Sequence, residues 1–132
     1  MEFDLKGRRL ILASKSPRRQ FLLKELEIPF QLNTKDVDES FPHELKAEQI
    51  PLYLSRKKAE AFISDIDEYS IVLTADTIVW INDHVLNKPA NEFEALAMLK
   101  EMQGTTHEVF TGVTLYSMMN ETSFSVRSEV EF

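Results

Sequence analysis

The apolar positions of the chain fall into short runs separated by polar turns, and the spacing within each run predicts its structure. Leu10-Ile11-Leu12 is a continuous apolar stretch and reads as a buried strand. Ser16 and Pro17 behind it supply a helix N-cap and a first helical residue whose missing N–H costs nothing. The helix they open places Phe21, Leu22, Leu23 and Leu26 on its inner side. Phe30-Gln31-Leu32 can form a short strand, and the polar, acidic segment from Thr34 to Pro42 reads as a loop. A second helix is predicted from about Ala47 to Ile63, with Ile50, Leu54, Ala61 and Phe62 as its apolar stripe. Ser70 to Ile81, S-I-V-L-T-A-D-T-I-V-W-I, is the most strand-like segment of the chain. Asn82-Asp83-His84 turns it back into Val85-Leu86 as a hairpin. Asn91 followed by Glu94 starts a third helix, with Ala95, Leu96, Leu99 and Met102 inward and Gly104 as its stop. Glu108 to Tyr116 and Ser123 to Phe132 are predicted strands. In the second of these Phe124, Val126, Ser128, Val130 and Phe132 share one face.

Composition narrows the class. The 132 residues, 43% hydrophobic and 28% charged, read as one domain spanning 1–132. There is no cysteine, which excludes a disulfide framework and a thiolate metal site. No apolar run is long enough to span a bilayer, and the start M-E-F-D-L-K does not resemble a signal peptide, so the expected location is cytoplasmic. A net charge of -7 argues against broad binding to nucleic acid or a membrane, which needs a basic face. A small polyanion can still bind where a few cations converge.

Five places could supply that chemistry. Arg18 and Arg19 fall in the first turn of the first predicted helix, where the dipole favours anions and repels cations. Either both are solvated surface residues, or the strand, the small residues Ala13 and Ser14 and the capped helix form a seat for an oxyanion. The acidic loop brings Asp36, Asp38 and Glu39 together. Asp36 reads as solvated, and a carboxylate pair beside a phosphate seat suits Mg²⁺. Lys58 lies on the apolar stripe of the second helix, where it must snorkel out or meet a negative partner, while Lys57 points elsewhere. Asp76 interrupts an apolar strand. A carboxylate there is either satisfied by backbone N–H groups at a bulge, or paired, metal-bound or catalytic. Lys88, held extended by Pro89, lies at a strand end near which Asp76 could sit. His107 has no second His or Cys near it and reads as structural.

L-I-L-A-S-K-S-P-R-R, V-D-E, L-S-R-K-K-A, A-D-T-I-V, N-K-P and G-T-T-H-E-V-F-T-G-V, in this order, resemble the Maf family of nucleoside triphosphate pyrophosphatases, over nearly the whole chain. The resemblance implies an inosine-triphosphatase-like (Maf/Ham1) α/β fold, with a long mixed sheet flanked by helices and a cleft. It implies metal-dependent hydrolysis of a nucleoside triphosphate to the monophosphate and pyrophosphate, with Asp76 as proton acceptor. Arg18 and Thr77 occupy positions linked to base selection and resemble the branch acting on dTTP and UTP. Gln103 departs from the usual Ser before Gly104. Family members also continue past Phe132, so the chain is expected to lack the C-terminal part of the fold, including a base-reading glutamine. The last strand pattern would then leave a sheet edge or face uncovered, inviting self-association as a homodimer or a loss of stability.

On this reading Arg18, Arg19, Lys58 and Lys88 hold the triphosphate, and Ser14 adds a neutral donor. Glu39 and Asp76 are the carboxylates for Mg²⁺, which Mn²⁺ could replace, and for orienting a water. Whether Asp76 is base, ligand or both stays open. Two rivals are a nucleotide-binding regulator of cell division without turnover, and a nucleotidyltransferase, for which no acceptor site is visible.

Overall fold

The computed structural model describes residues 7–86 and 89–131. Its centre is a pair of parallel strands, β1 (Arg9–Leu12) and β3 (Ser70–Ile81), in register from Arg9 opposite Ser70 to Leu12 opposite Leu73. β2 (Gln31–Leu32) joins the other edge of β1, also parallel. β5 (Thr106–Tyr116) runs antiparallel along nearly all of β3, and β6 (Glu121–Glu131) antiparallel along β5. The sheet order is β2-β1-β3-β5-β6, with β4 (His84–Leu86) on β3 as the sixth strand. This is the mixed α/β sheet expected from the sequence. Asn82 and Asp83 both take positive φ, 50° and 62°, as a two-residue hairpin between paired Ile81 and His84 requires.

The helix α2 (Gln49–Glu60) covers one face of the sheet. Its Ile50 and Leu54 pack with Ile78 and Phe110 of the sheet, and Phe62, just past its end, is also buried. Each such side chain contributes about 1.5–3 kcal/mol on burial. The rest of the contact is polar and small. Ser55 Oγ lies 2.8 Å from Thr114 Oγ1, and Thr74 Oγ1 donates to the Ser55 carbonyl at 2.5 Å, all three residues fully buried. Ala59 is fully buried as well. At Gly112 a Cβ would stand 2.4 Å from the carbonyl carbon and oxygen of Pro51, so only glycine lets α2 sit this close to the sheet.

The other two helices differ from expectation. α1 (Pro17–Glu25) and α3 (Glu92–Met102) are capped as predicted, by Ser16 accepting from the Arg19 N–H and Asn91 accepting from the Glu94 N–H. Neither buries a residue. Phe21 and Leu22 of α1, Leu26 just past its end, and Leu96 and Leu99 of α3 are exposed rather than inward. Periodicity shows that a helix has an apolar face; it does not show that a neighbour covers it. Phe124, Val126 and Val130 of β6 are exposed likewise. Among the described residues, no helix is long and apolar enough to cross a membrane.

Candidate active site

β1 leaves the edge of β3 after Leu73, and β4 rejoins that edge only at Val79. The Ala13 N–H still reaches the Leu73 carbonyl at 3.0 Å; beyond it no strand among the described residues pairs with Thr74 to Ile78 on that side. The gap opens at the carboxyl end of a parallel strand, the position where α/β sheets bind ligands. It forms a cleft of about 950 Å³ into which Ser14, Arg19, Glu39, Lys58, Asp76 and Thr77 project. All six were singled out from the sequence. Arg18 is exposed and lies outside the cleft lining, one residue from Arg19 but turned away. Lys88 lies outside the described residues.

On the α2 side, Lys58 Nζ donates to Asp76 Oδ1 at 3.0 Å and stands 3.3 Å from Glu39 Oε1. Lys58 therefore meets a negative partner instead of snorkelling. Asp76 is largely buried, and its other oxygen, Oδ2, is buried with no hydrogen-bond partner among the described residues. The bulge reading, in which backbone N–H groups satisfy the carboxylate, is not what the structure has. Lys57 points to the loop, 4.0 Å from Asp38 and 5.9 Å from the Tyr53 ring centre.

On the α1 side, the Ser14 hydroxyl accepts from the Ser16 N–H and from Arg19 Nη1, both at 3.2 Å. With its oxygen accepting both bonds, the Ser14 hydroxyl keeps its one proton to donate. Arg19 Nη2 donates to Thr77 Oγ1 at 3.0 Å, so the guanidinium bridges the end of β1 and the middle of β3. Burial pulls the Arg19 guanidinium below its ordinary range, and the Asp76 carboxylate partly offsets this. Arginine still stays charged at any physiological pH. First-turn acids are absent from α1, so this cation and the helix dipole together present an uncompensated positive end to the cleft.

Among the described residues no group of three or more His, Asp or Glu side chains could enclose a metal ion. Two carboxylates, one with an orphaned buried oxygen, fit a hard cation that draws its remaining ligands from water and phosphate, as Mg²⁺ does. His107 is buried with its Nδ1 unpartnered among the described residues, and no metal-ligating group forms around it. Sequence reasoning missed Thr111, whose Oγ1 lies 2.9 Å from Thr77 Oγ1, and Gly112, which sits opposite Asp76 in register. A glycine inside a strand pattern was the available signal for the second.

A mixed sheet with a cleft at its topological break defines a fold shared with solved Ham1 proteins. The Staphylococcus aureus Ham1 protein superposes with a TM-score of 0.67 at 12% identity, covering 94% of this chain and 71% of that one. A HAM1 protein from Coxiella burnetii gives 0.58 at 14%, covering 94% and 72%. Within that fold class the chain belongs to the Maf-like protein family, whose sequence model matches residues 9–132. It is 44% identical over 130 residues to the dTTP/UTP pyrophosphatase of Parabacteroides distasonis, covering 98% of this chain and 67% of the relative. It is 44% identical over 124 residues to that of Bacteroides thetaiotaomicron, covering 93% and 64%. The chain thus spans about two thirds of the length of these relatives.

Proposed function

We propose that this cleft hydrolyses nucleoside triphosphates, dTTP and UTP foremost, to the monophosphate and pyrophosphate. The observation that carries the reading is Asp76 in the lining of the cleft, its Oδ1 held by Lys58 and its buried Oδ2 without a partner among the described residues, with Arg19 lining the same cleft. A carboxylate so placed has one oxygen fixed by an ammonium and one left to take a proton. The Asp76 carboxylate accepts the proton of a water that attacks the α-phosphorus; the bond to the bridging oxygen breaks and pyrophosphate leaves. Arg19 and Lys58 bind the phosphate oxygens, and the Ser14 hydroxyl donates to one of them. Glu39 and Asp76 would hold Mg²⁺, or Mn²⁺ in its place, which when bound neutralises phosphate charge and sharpens the nucleophile. Lys88 supplies a further cation to the leaving group, on the strength of the family resemblance alone.

The base preference rests on Thr77 and on relatives named dTTP/UTP pyrophosphatase, while Arg18, outside the cleft lining, enters only through the family resemblance. The fitting assay is pyrophosphate release from a panel of dTTP, UTP, ITP, GTP and 7-methyl-GTP with Mg²⁺. Preference for dTTP and UTP is expected. Preference for a purine triphosphate would overturn the base assignment and leave the chemistry standing. Binding without turnover of any member would favour the rival reading, a nucleotide-binding regulator of cell division.

A further inference from the structure

We propose that Thr111 is a positioning residue for Arg19, acting through the hydroxyl of Thr77. Thr77 and Thr111 face each other as register partners on β3 and β5, with their hydroxyl oxygens 2.9 Å apart. A guanidinium carries only donors, so Thr77 Oγ1 accepts from Arg19 Nη2 at 3.0 Å. A hydroxyl oxygen accepts twice and donates once, so Thr77 can hold Arg19 and Thr111 together whichever hydroxyl donates between the two threonines. The contacts run from Arg19 to Thr77 to Thr111.

This order matters because of how Arg19 is held. Its two terminal nitrogens are tied to two segments, one to Ser14 just past the end of β1 and one to Thr77 in β3. The Ser14 end is anchored by the Ser16 N–H. The Thr77 side chain is exposed to the cleft and would be free to change rotamer without Thr111. A changed rotamer would carry the hydroxyl away from Arg19 and release one arm of the guanidinium. Thr111 does not line the cleft, so it does not meet a ligand there directly. A cation fixed before the ligand arrives loses less freedom on binding than a mobile one.

The inference rests on the proposed triphosphate site and deepens it. It is tested with Mg²⁺ and α,β-methylene dTTP, an analogue that binds without being cleaved, titrated calorimetrically into wild type, Thr111→Val, Arg19→Ala and the double variant. Valine keeps the shape and strand preference of threonine; Thr111→Ala provides the same reading if the valine variant melts low. Thr111→Val should bind about 3- to 10-fold more weakly, the range of one neutral hydrogen bond. Arg19→Ala should bind weaker still, and the double variant should bind no worse than Arg19→Ala alone. Thr111→Ser, which keeps the hydroxyl, should restore affinity. Wild-type affinity in Thr111→Val, beside a weak Arg19→Ala, would overturn the role of Thr111 while leaving the site intact. Additive losses in the double variant would overturn it too, since Thr111 would then act by another route. Wild-type affinity in Arg19→Ala would overturn the triphosphate site itself, and with it anything for Thr111 to position.

Discussion

Lys58 Nζ sits 3.0 Å from Asp76 Oδ1, joining the last turns of α2 to the middle of β3 across 18 residues of chain. Both side chains are mostly shielded from water, so the pair is neither a loose surface bridge nor a dry one. Removing the lysine leaves a largely buried carboxylate beside Glu39 without the ammonium that both face. Lys58→Ala should therefore weaken triphosphate binding by about 1.5–3 kcal/mol, the scale of a charge-assisted hydrogen bond. Lys57→Ala, one residue along and directed at Asp38 and Tyr53, is the control and should change binding little. Titration of both variants with the uncleaved analogue decides it. Equal losses would mean that the two lysines are not sorted between cleft and loop as described.

That pairing depends on how close α2 lies to the sheet, and Gly112 sets the distance. Gly112→Ala would place a Cβ 2.4 Å from the Pro51 backbone, and backbone cannot step aside as a side-chain tip can. The helix must lift, at a cost of about 1–3 kcal/mol for overpacking. The melting temperature of Gly112→Ala should fall, and turnover should fall with it at temperatures where the variant is still folded, because Lys58 moves with α2. An unchanged melt would show that α2 tolerates a wider seat.

Much of this arrangement was legible in the sequence. The N-cap at Ser16, the proline after it and the run ending at Leu12 located the β1–α1 turn, because capping and φ restriction are local effects. Asp76 stood out because a carboxylate in an apolar strand is costly wherever the strand ends up. Lys58 stood out because it shared a stripe with Leu54 and Phe62. What could not be read were contacts made only after folding. Ser55, Thr74 and Thr114 look like ordinary polar positions, yet they are fully buried because each finds its partner in a distant part of the chain. Thr111 matters only because register sets it opposite Thr77. The exposed apolar faces of α1 and α3 are the converse case, since a stripe is local and its cover is not.

A second polar link ties the β4 hairpin, whose Val85 and Leu86 line the cleft, to α3. His84 Nε2 lies 2.7 Å from Glu101 Oε2, which also accepts from the Asn82 amide. The bond to Glu101 raises the His84 pKa above its ordinary 6.5, and the bond from His84 lowers the Glu101 pKa below its ordinary 4.5. A raised histidine contributes stability that is complete below 6.5 and lost as pH rises through its folded value. A lowered glutamate contributes stability that is complete above 4.5 and lost as pH falls through its folded value. Both contributions are present between pH 4.5 and 6.5. The pair is largely exposed, so the effect is small and weakens with salt. Melting curves of wild type and His84→Gln should differ most in that window and converge as pH rises past neutral. A difference that is constant with pH would show that the imidazole is not charged in the link.

The reading of the cleft as a pyrophosphatase site turns on Asp76, and one comparison reaches it directly: the phosphorus spectrum of dTTP incubated with Mg²⁺ and either wild type or Asp76→Asn. The asparagine keeps the shape of the side chain and can neither take a proton from water nor carry the charge that Lys58 meets. Wild type should convert dTTP to dTMP and pyrophosphate, with no orthophosphate or dTDP formed. Asp76→Asn, folded by circular dichroism, should slow that conversion by about 10²-fold or more, the scale of a lost general base. Release of orthophosphate by wild type, or near-normal pyrophosphate release by Asp76→Asn, would contradict the account.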